Sequence, residues 1–421
     1  MEPRTAVDGE TAAGARLPID NMESARCRPF PGWPHYSERE IAAVVAVLRS
    51  GRVNFWTGEE GRLFEQEFTA YCQRKYAVAV ANGSVALELA LFALGVGPGD
   101  EVIVPCRTFI ASASCASVRG ATPVFADVDR VSQNITLDTI KRAVTPRTKA
   151  IIAVHLAGWP CDMDPILEFA RQRGIAIVED CAQAHGATYK GRRVGSMGDI
   201  GAFSFCQDKI ITTGGEGGMV VTDNPDYWER MWSYKDHGRN FRLSRMPPDG
   251  GFRMIHTDIG TNFRMTEAQS AIGRIQLENI EAQLVNRRRN ARLLTTGFSS
   301  VPALRVTAPG PEIGHAYYKY YAFVEPERLR PGWDRDRILR TILATGIPCG
   351  TGSCSEVYLE SAFAGCERLP ERLPQARRLG ETSLMFLVHP TLTEEHMLET
   401  WLSVAKVMEA AVDTKREVAA A

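Results

Sequence analysis

The sequence lacks the features of membrane, exported and nucleic-acid-binding proteins. No stretch approaches the ~20 consecutive apolar residues of a membrane-spanning helix. Residues 1–26 hold no apolar core of about 7 residues or more, so we expect no secretory signal. The 49 basic and 50 acidic residues give a net charge of −1, which predicts no general attraction to nucleic acid or to an anionic membrane. The sequence therefore predicts neither nucleic acid nor a membrane as a partner.

Cysteine and histidine are too scattered to indicate a metal or redox centre. None of the ten cysteines forms a Cys-x-x-Cys pair, and several lie in apolar runs, where cysteine behaves as a small hydrophobic residue. His389 and His396 stand apart from any other cluster of ligand-like residues, so we expect no metal site. Thiols spaced in this way are typical of a reducing compartment, and we predict the cytoplasm.

Two glycine-rich segments and one arginine run carry no functional motif. Residues 95–99 end a helical pattern and contain a proline, unlike a dinucleotide-binding fingerprint. Residues 214–218 lack the Gly-Lys-Ser/Thr ending of a P-loop. Arg287-Arg288-Arg289 is the densest basic run, and we interpret it as the solvated face of a helix.

The apolar pattern that is present predicts an α/β protein. The chain has 421 residues, 44% of them hydrophobic and 24% charged, which is ample for a buried core and two domains. Helical stretches such as 84–94 and 164–173 alternate with apolar runs. The predicted strands are residues 76–81, 101–105, 122–126, 150–155, 175–179, 201–205 and 218–222. We therefore predict a large domain with a mostly parallel seven-stranded sheet flanked by helices.

The C-terminal part of the chain predicts a smaller α+β domain. Its predicted elements are a helical pattern over 266–295 that leads into it, strands at 316–324 and 384–388, and helices at 335–345 and from 393. The predicted organisation is a flexible tail over 1–26, a large domain over 27–285 and a small domain over 286–421.

A lysine and an aspartate each follow a predicted strand. Lys209 precedes a loop with four glycines in residues 214–218, and Asp180 ends the strand over 175–179. Since ligands of open α/β sheets lie at the carboxyl ends of strands, both side chains are expected in one crevice. Such a pair suits pyridoxal phosphate (PLP), because a lysine binds its aldehyde and a carboxylate keeps its pyridine nitrogen protonated. The alternative for Lys209 is a surface lysine before a flexible hairpin.

With these motifs the sequence resembles the DegT/StrS family of sugar aminotransferases, which have the aspartate aminotransferase fold (fold type I) of PLP enzymes. The resemblance extends over residues 28–408. It implies a PLP-dependent transaminase in which Lys209 and Asp180 are catalytic. It also implies a homodimer with shared active sites, whose large domain binds the cofactor.

The resemblance also assigns residues to the cofactor phosphate. Gly83 and Ser84, which open a predicted helix, match the Gly-Ser/Thr pair that holds this phosphate, and Ser204 matches a second contact. Asn262 lies in a segment that resembles the family's Gly-x-Asn-x-Arg-Met, where the asparagine reaches the phosphate of the neighbouring subunit. The alternatives are simple N-capping of the helix by Ser84 and a turn before a helix at Asn262.

Two further residues are matched to the cofactor ring. Phe109 corresponds to an aromatic residue that stacks on the pyridine face, although a core phenylalanine is the alternative. Gln183 corresponds to a residue that hydrogen-bonds the ring hydroxyl.

The family implies glutamate or glutamine as the amino donor. The implied acceptor is a keto sugar, specifically a nucleotide-linked keto-deoxyhexose used to make an amino sugar for a cell-surface polysaccharide or a secondary metabolite. Residues 346–354 depart from the Tyr-Tyr-Pro-rich loop of sugar members, which leaves a keto-cyclitol of the scyllo-inosose type as the alternative. A PLP-dependent sugar dehydratase fits less well, because such members carry histidine in place of Lys209. A non-catalytic PLP-binding regulator is disfavoured by the lack of a helix-turn-helix pattern.

Overall fold

The structure of the protein, a computed structural model, describes residues 29–247 and 254–413. The predicted tail over 1–26 lies outside the described residues. The strands are β1 (Tyr76–Val80), β2 (Glu101–Pro105), β3 (Thr122–Ala126), β4 (Thr148–Val154), β5 (Ala176–Asp180), β6 (Thr188–Tyr189), β7 (Arg192–Arg193), β8 (Ile200–Ser204), β9 (Gly218–Thr222), β10 (Leu304–Val306), β11 (Ile313–Gly314), β12 (Tyr320–Val324), β13 (Cys349–Gly350) and β14 (Ser383–Phe386).

Helices connect and cover these strands. They are α1 (Glu38–Ser50), α2 (Glu60–Cys72), α3 (Gly83–Ala93), α4 (Ala111–Val118), α5 (Leu137–Ala143), α6 (Met163–Arg173), α7 (Pro225–Lys235), α8 (Phe241–Arg245), α9 (Glu267–Glu278), α10 (Ile280–Phe298), α11 (Arg335–Ala344), α12 (Pro374–Thr382) and α13 (Glu394–Ala411). No helix among these is both long and apolar enough to cross a membrane.

The main sheet has seven strands in the order β1-β9-β8-β5-β4-β2-β3. β9 runs antiparallel to β1 and β8, whereas the pairs from β8 through β3 are parallel. Its strands are buried almost throughout, which explains their continuous apolar sequences. The predicted α/β fold with a mostly parallel seven-stranded sheet is confirmed.

Ser84 is not the N-cap of α3, contrary to the capping alternative. The N-cap is Asn82, whose side chain accepts a hydrogen bond from the Val85 N–H at 3.0 Å. Asn82 has the extended backbone of an N-cap, so Ser84 falls within the first helical turn. The Ser84 side chain is therefore not needed to begin the helix.

The C-terminal part forms a four-stranded antiparallel sheet in the order β10-β12-β14-β13. α10, α11 and α13 enclose a core with it that includes Phe298, Tyr320 and Phe386. The helical pattern over 266–295 is two helices, because α9 ends at Glu278, and Asn279, whose side chain donates to the Ile275 carbonyl oxygen, separates it from α10. The predicted domain boundary at 285/286 falls inside α10, and it stays a prediction.

The interpretation of the arginine run as a solvated face is wrong for Arg287. Its side chain is buried, and Nη1 donates to the carbonyl oxygens of Tyr317 at 3.4 Å and Tyr318 at 3.3 Å. The reason is that α10 lies against the chain just before β12, whose backbone oxygens a planar guanidinium can bridge. Burial lowers the pKa of Arg287 to about 9, so the group remains charged near neutral pH.

Candidate active site

A cavity of about 790 Å³ lies where β5 and β8 end. Because parallel strands end at the same edge of a sheet, residues far apart in sequence meet there. All the predicted site residues except Asn262 line this cavity: Gly83, Ser84, Phe109, Asp180, Gln183, Ser204 and Lys209. The structure therefore places Lys209 and Asp180 at one crevice, as predicted.

Asp180 is the last residue of β5, and its carboxylate is almost fully buried. Oδ2 accepts a hydrogen bond from the Ser112 hydroxyl at 2.8 Å, and Oδ1 accepts one from the Ala182 N–H at 3.1 Å. Thr108 is hydrogen-bonded in turn to Ser112 at 2.7 Å. Burial raises the pKa of Asp180, whereas the Ser112 hydrogen bond and the charge of Lys209 oppose that rise. A buried carboxylate of this kind is stabilised by a cationic ligand.

Lys209 lies in the loop between β8 and β9 with its side chain 17% exposed. Nζ donates to the Tyr318 hydroxyl at 3.3 Å and lies 3.6 Å from Oδ1 of Asp208. The Tyr318 hydroxyl donates to Oδ2 of Asp208, and Nζ of Lys319 lies 3.7 Å from the same oxygen. Although burial acts in the opposite direction, the Lys209 charge holds the pKa of Asp208 below its usual value. The alternative of a surface lysine does not fit this environment.

Sequence reasoning missed four of the residues that surround this pair: Ser112, Asp208, Tyr318 and Lys319. Asp208 adjoins Lys209, and Ser112 lies three residues after Phe109, which had been matched to the cofactor ring. Tyr318 and Lys319 carry no such signal, since they lie just before β12 of the second sheet.

The start of α3 and the end of β8 meet at one corner of the cavity. A side-chain Cβ at Gly83 would lie 2.5 Å from the Cβ of Ser204, so only glycine allows this close approach. Ser84 and Ser204 both line the cavity at the N-terminus of α3. Backbone N–H groups, hydroxyls and a helix N-terminus together suit a phosphate group.

Phe109 and Gln183 present different groups to the cavity. Phe109 is 64% exposed, which excludes the alternative of a core phenylalanine within this chain. Oε1 of Gln183 accepts a hydrogen bond from the Ala157 N–H at 2.8 Å. This contact fixes the orientation of the amide and leaves its NH₂ end for a ligand.

Asn262 lies away from these residues. It is exposed, it forms an isolated β-bridge with Asp236, and its Oδ1 accepts a hydrogen bond from the Arg264 N–H at 3.3 Å. Asn262 is not among the cavity-lining residues of the described chain. A contact between Asn262 and the cofactor of its own chain is therefore not supported.

His155, Glu179 and Cys181 form a buried cluster with the composition of a metal site. Its ligand atoms are already engaged, however. The Glu179 carboxylate accepts hydrogen bonds from the N–H groups of Gly195, Met197 and Gly198 and contacts His155 Nε2 at 3.0 Å. His155 Nδ1 accepts from the Cys161 N–H. This hydrogen-bond network supports the end of β5.

Residues 34–404 match the model of the DegT/DnrJ/EryC1/StrS aminotransferase family. The chain belongs to this family. The resemblance inferred from the motifs is confirmed, and the protein is a PLP-dependent aminotransferase. Its predicted relation to fold type I PLP enzymes is confirmed as well.

Three similar proteins illustrate the relationship. The solved structure of an aminotransferase from Psychrobacter cryohalolentis is 50% identical, with a TM-score of 0.89 over 91% of this chain and 99% of that chain. The dTDP-3-amino-3,4,6-trideoxy-alpha-D-glucose transaminase of Streptomyces venezuelae is 38% identical over 85% of this chain and 89% of its own. The L-glutamine:2-deoxy-scyllo-inosose aminotransferase of Streptomyces kanamyceticus is 36% identical over 78% of each chain.

The aminotransferase's cavity fits PLP on its own geometry. The buried carboxylate of Asp180 suits a cationic ring nitrogen. The corner formed by Gly83, Ser84 and Ser204 suits a phosphate, and the amine of Lys209 lines the same cavity. The chain therefore supplies the three chemical groups that this cofactor needs.

Proposed function

We propose that this aminotransferase moves an amino group from glutamate or glutamine to a nucleotide-linked keto-deoxyhexose, in the biosynthesis of an amino sugar. The observation that carries the proposal is the convergence of Lys209 and Asp180 on one cavity. The choice of a nucleotide-linked sugar is supported by similarity to the transaminase from Streptomyces venezuelae, whose name specifies a dTDP-linked amino sugar.

Lys209 and Asp180 are proposed to do the chemical work. PLP, when bound, supplies an aldehyde for the amino group and an electron-withdrawing ring that stabilises negative charge at carbon. Asp180 holds the proton on the pyridine nitrogen. The Lys209 amine would hold the cofactor by its aldehyde, and as a free amine it would act as base and acid for the proton of the donor Cα. With the acceptor, the same amine moves the proton in the opposite direction.

The remaining cavity residues are proposed to bind and orient the cofactor. Gly83, Ser84 and Ser204 hold its phosphate at the N-terminus of α3. Phe109 stacks on the pyridine face. This role explains why its aromatic side chain is exposed in the single chain. The amide NH₂ of Gln183 donates to the ring hydroxyl.

A keto-cyclitol is the second candidate acceptor. The segment that departs from the pattern of sugar members lies at the cavity, because Gly352, Ser353 and Cys354 line it. The similarity to the scyllo-inosose aminotransferase of Streptomyces kanamyceticus also favours this candidate. The two candidate acceptors therefore differ in the groups that this side of the cavity must bind.

An acceptor panel distinguishes these candidates. The enzyme is loaded with pyridoxamine phosphate and mixed with nucleotide-linked 3-keto- and 4-keto-deoxyhexoses and with keto-cyclitols. We expect the aldehyde absorbance of PLP to return at least about tenfold faster with one of the sugar nucleotides, a selectivity that a few pocket contacts can provide. A response to keto-cyclitols alone would contradict the sugar proposal and support the alternative.

We also propose a homodimer in which Asn262 contacts the cofactor of the neighbouring subunit. Its exposed position outside the cavity of its own chain supports this arrangement. In a two-fold dimer each active site would then need residues from both chains.

Co-expression of two impaired variants tests whether each active site is shared between the two subunits. Chains carrying Lys209→Ala are co-expressed with chains carrying Asn262→Ala, after Asn262→Ala alone has been found clearly impaired. A mixed dimer contains one site with both defects and one with neither, so each mixed dimer should have about half the activity of a wild-type dimer. If co-expression restores no activity, Asn262 acts within its own chain, as a residue of the turn before α9.

The proposed location is the cytoplasm. Every cysteine in the described part of the chain is free, including the exposed Cys354. A reducing compartment would keep these thiols in that state.

A further inference from the structure

The N-terminal strap, residues 29–36, crosses the loop that carries Lys209. Nε1 of Trp33 donates a hydrogen bond to the Lys209 carbonyl oxygen at 2.8 Å. Further along the loop, the Tyr36 hydroxyl accepts from the Gly214 N–H at 3.1 Å and is 3.3 Å from Oγ1 of Thr212. The strap therefore holds the loop at two places, one of which is Lys209 itself.

Trp33 is held from its other side by buried and C-terminal residues. The Arg287 guanidinium lies 5.2 Å from the centre of the indole ring, and the His389 ring stacks against that ring at 6.0 Å. Oγ1 of Thr391 donates to the Gly32 carbonyl oxygen at 3.2 Å. These contacts make the strap a fixed support, since a cation over an indole is a favourable arrangement even without a hydrogen bond.

Arg287 connects this support to the other end of the lysine. Its Nη1 donates to the Tyr318 carbonyl oxygen, and the Tyr318 hydroxyl accepts from Nζ of Lys209. Contacts thus run from the Lys209 backbone through Trp33, Arg287 and Tyr318 to the Lys209 amine. This series of contacts fixes both the backbone and the amine of Lys209, whose side chain otherwise has four rotatable bonds.

Burial and a few local hydrogen bonds also hold parts of the loop, since residues 210–213 are buried. Gly214 and Gly215 have φ values of +82° and +124°, a region that glycine enters without strain. The backbone of Lys209 donates to the Cys206 carbonyl oxygen, and the Thr213 N–H donates to that of Phe205. The strap contacts therefore add to a small number of local hydrogen bonds.

We propose that Trp33 is a positioning residue for Lys209, which keeps the amine aligned for proton transfer by fixing the backbone of the lysine. The inference rests on the proposed role of Lys209. Proton transfer requires the amine to lie within hydrogen-bond reach of the reacting carbon's proton, and a displacement of about 1 Å can cost about a hundredfold in rate. A strap that only covered the apolar surface would need the indole ring but not its N–H group.

The variant Trp33→Phe separates these two roles, because it keeps an aromatic ring and removes the hydrogen-bond donor. Trp401→Phe is the matched control, since Nε1 of Trp401 is buried and has no hydrogen-bond partner among the described residues. Hydrogen exchange of the peptide over 206–214 is measured in the cofactor-free protein. The kcat and KM for the donor half-reaction are measured after loading with PLP.

For Trp33→Phe we expect about fivefold faster exchange in this peptide, the effect of losing one ordinary hydrogen bond. We expect kcat to fall about tenfold with little change in the KM for the donor, because alignment rather than binding is lost. Trp401→Phe should match the wild type in exchange of this peptide and in kcat. Wild-type exchange over 206–214, or wild-type kcat, in Trp33→Phe would overturn the proposal.

If Trp33→Phe does not fold, Tyr36→Phe removes the second contact, and the same loosening is expected around Gly214. Unchanged exchange there would overturn the proposal. Exchange in the cofactor-free protein does not depend on the identity of the acceptor or on the chemistry of Lys209. A failure of the proposed function would instead be seen in the wild type, as PLP fixed by borohydride to a lysine other than Lys209.

Discussion

Replacing Lys209 by alanine is expected to lower the rate of amino transfer about a thousandfold or more. On the proposed mechanism the variant loses both the amine that would bind the cofactor aldehyde and the group that would move the proton, and a positioned acid–base group alone is worth about a hundredfold or more. The measurement is the single-turnover rate of the donor half-reaction, on protein whose fold has been checked by circular dichroism.

Lys319→Ala is the matched control, because Lys319 is the other lysine that lines the cavity. Borohydride reduction followed by peptide mass mapping should place the cofactor on Lys209 in both the wild type and Lys319→Ala. In Lys209→Ala no such modified peptide is expected. Modification of a different lysine in the wild type, or a near-normal rate in Lys209→Ala, would refute the assignment.

Asp180→Asn is expected to keep much of the bound PLP and to lower the transfer rate about a hundredfold. Gly83, Ser84 and Ser204 still bind the phosphate, whereas a neutral amide no longer compensates the charge on the ring nitrogen. The loss of one preorganised charge in an enclosed site costs about this much in other enzymes. PLP content and the single-turnover rate are the two quantities to measure.

Glu216→Gln provides the comparison for Asp180→Asn. Glu216 also lines the cavity, but its carboxylate contacts the Cys206 thiol rather than the Ser112 hydroxyl. We expect Glu216→Gln to react at close to the wild-type rate. Equal losses in the two variants would mean that the net charge of the cavity matters rather than the position of Asp180, and a near-normal rate in Asp180→Asn would exclude its proposed role.

The main sheet could be predicted from the sequence because its strands are buried on both faces. Such strands are short, continuous apolar runs, and the predicted 101–105, 122–126 and 218–222 coincide with β2, β3 and β9. The short strands that were not predicted, such as β6 and β13, have two residues each and no apolar period. They exist because neighbouring segments offer backbone partners, which the local sequence does not record.

The active site was predictable where a residue follows directly from a strand or opens a helix. Asp180 and Ser204 end β5 and β8, and Gly83 begins α3, so their shared location follows from parallel topology. Ser112 was missed because its contact with Asp180 depends on where the start of α4 lies relative to the end of β5. The burial of Arg287 was missed for the same reason, because helical periodicity does not indicate which neighbour this side chain faces.

The sequence by itself determined the succession of strands in the main sheet, the family, and the places of Lys209 and Asp180 after two of those strands. These follow from apolar periodicity and from residue types at fixed places along the chain. Only the tertiary structure decided what surrounds the lysine. Tyr318 and Trp33 contact Lys209 from 109 and 176 residues away, through the packing of the second sheet and the N-terminal strap. Contacts at such separations depend on the assembled core, because no local pattern encodes which side chain will complete a cavity wall.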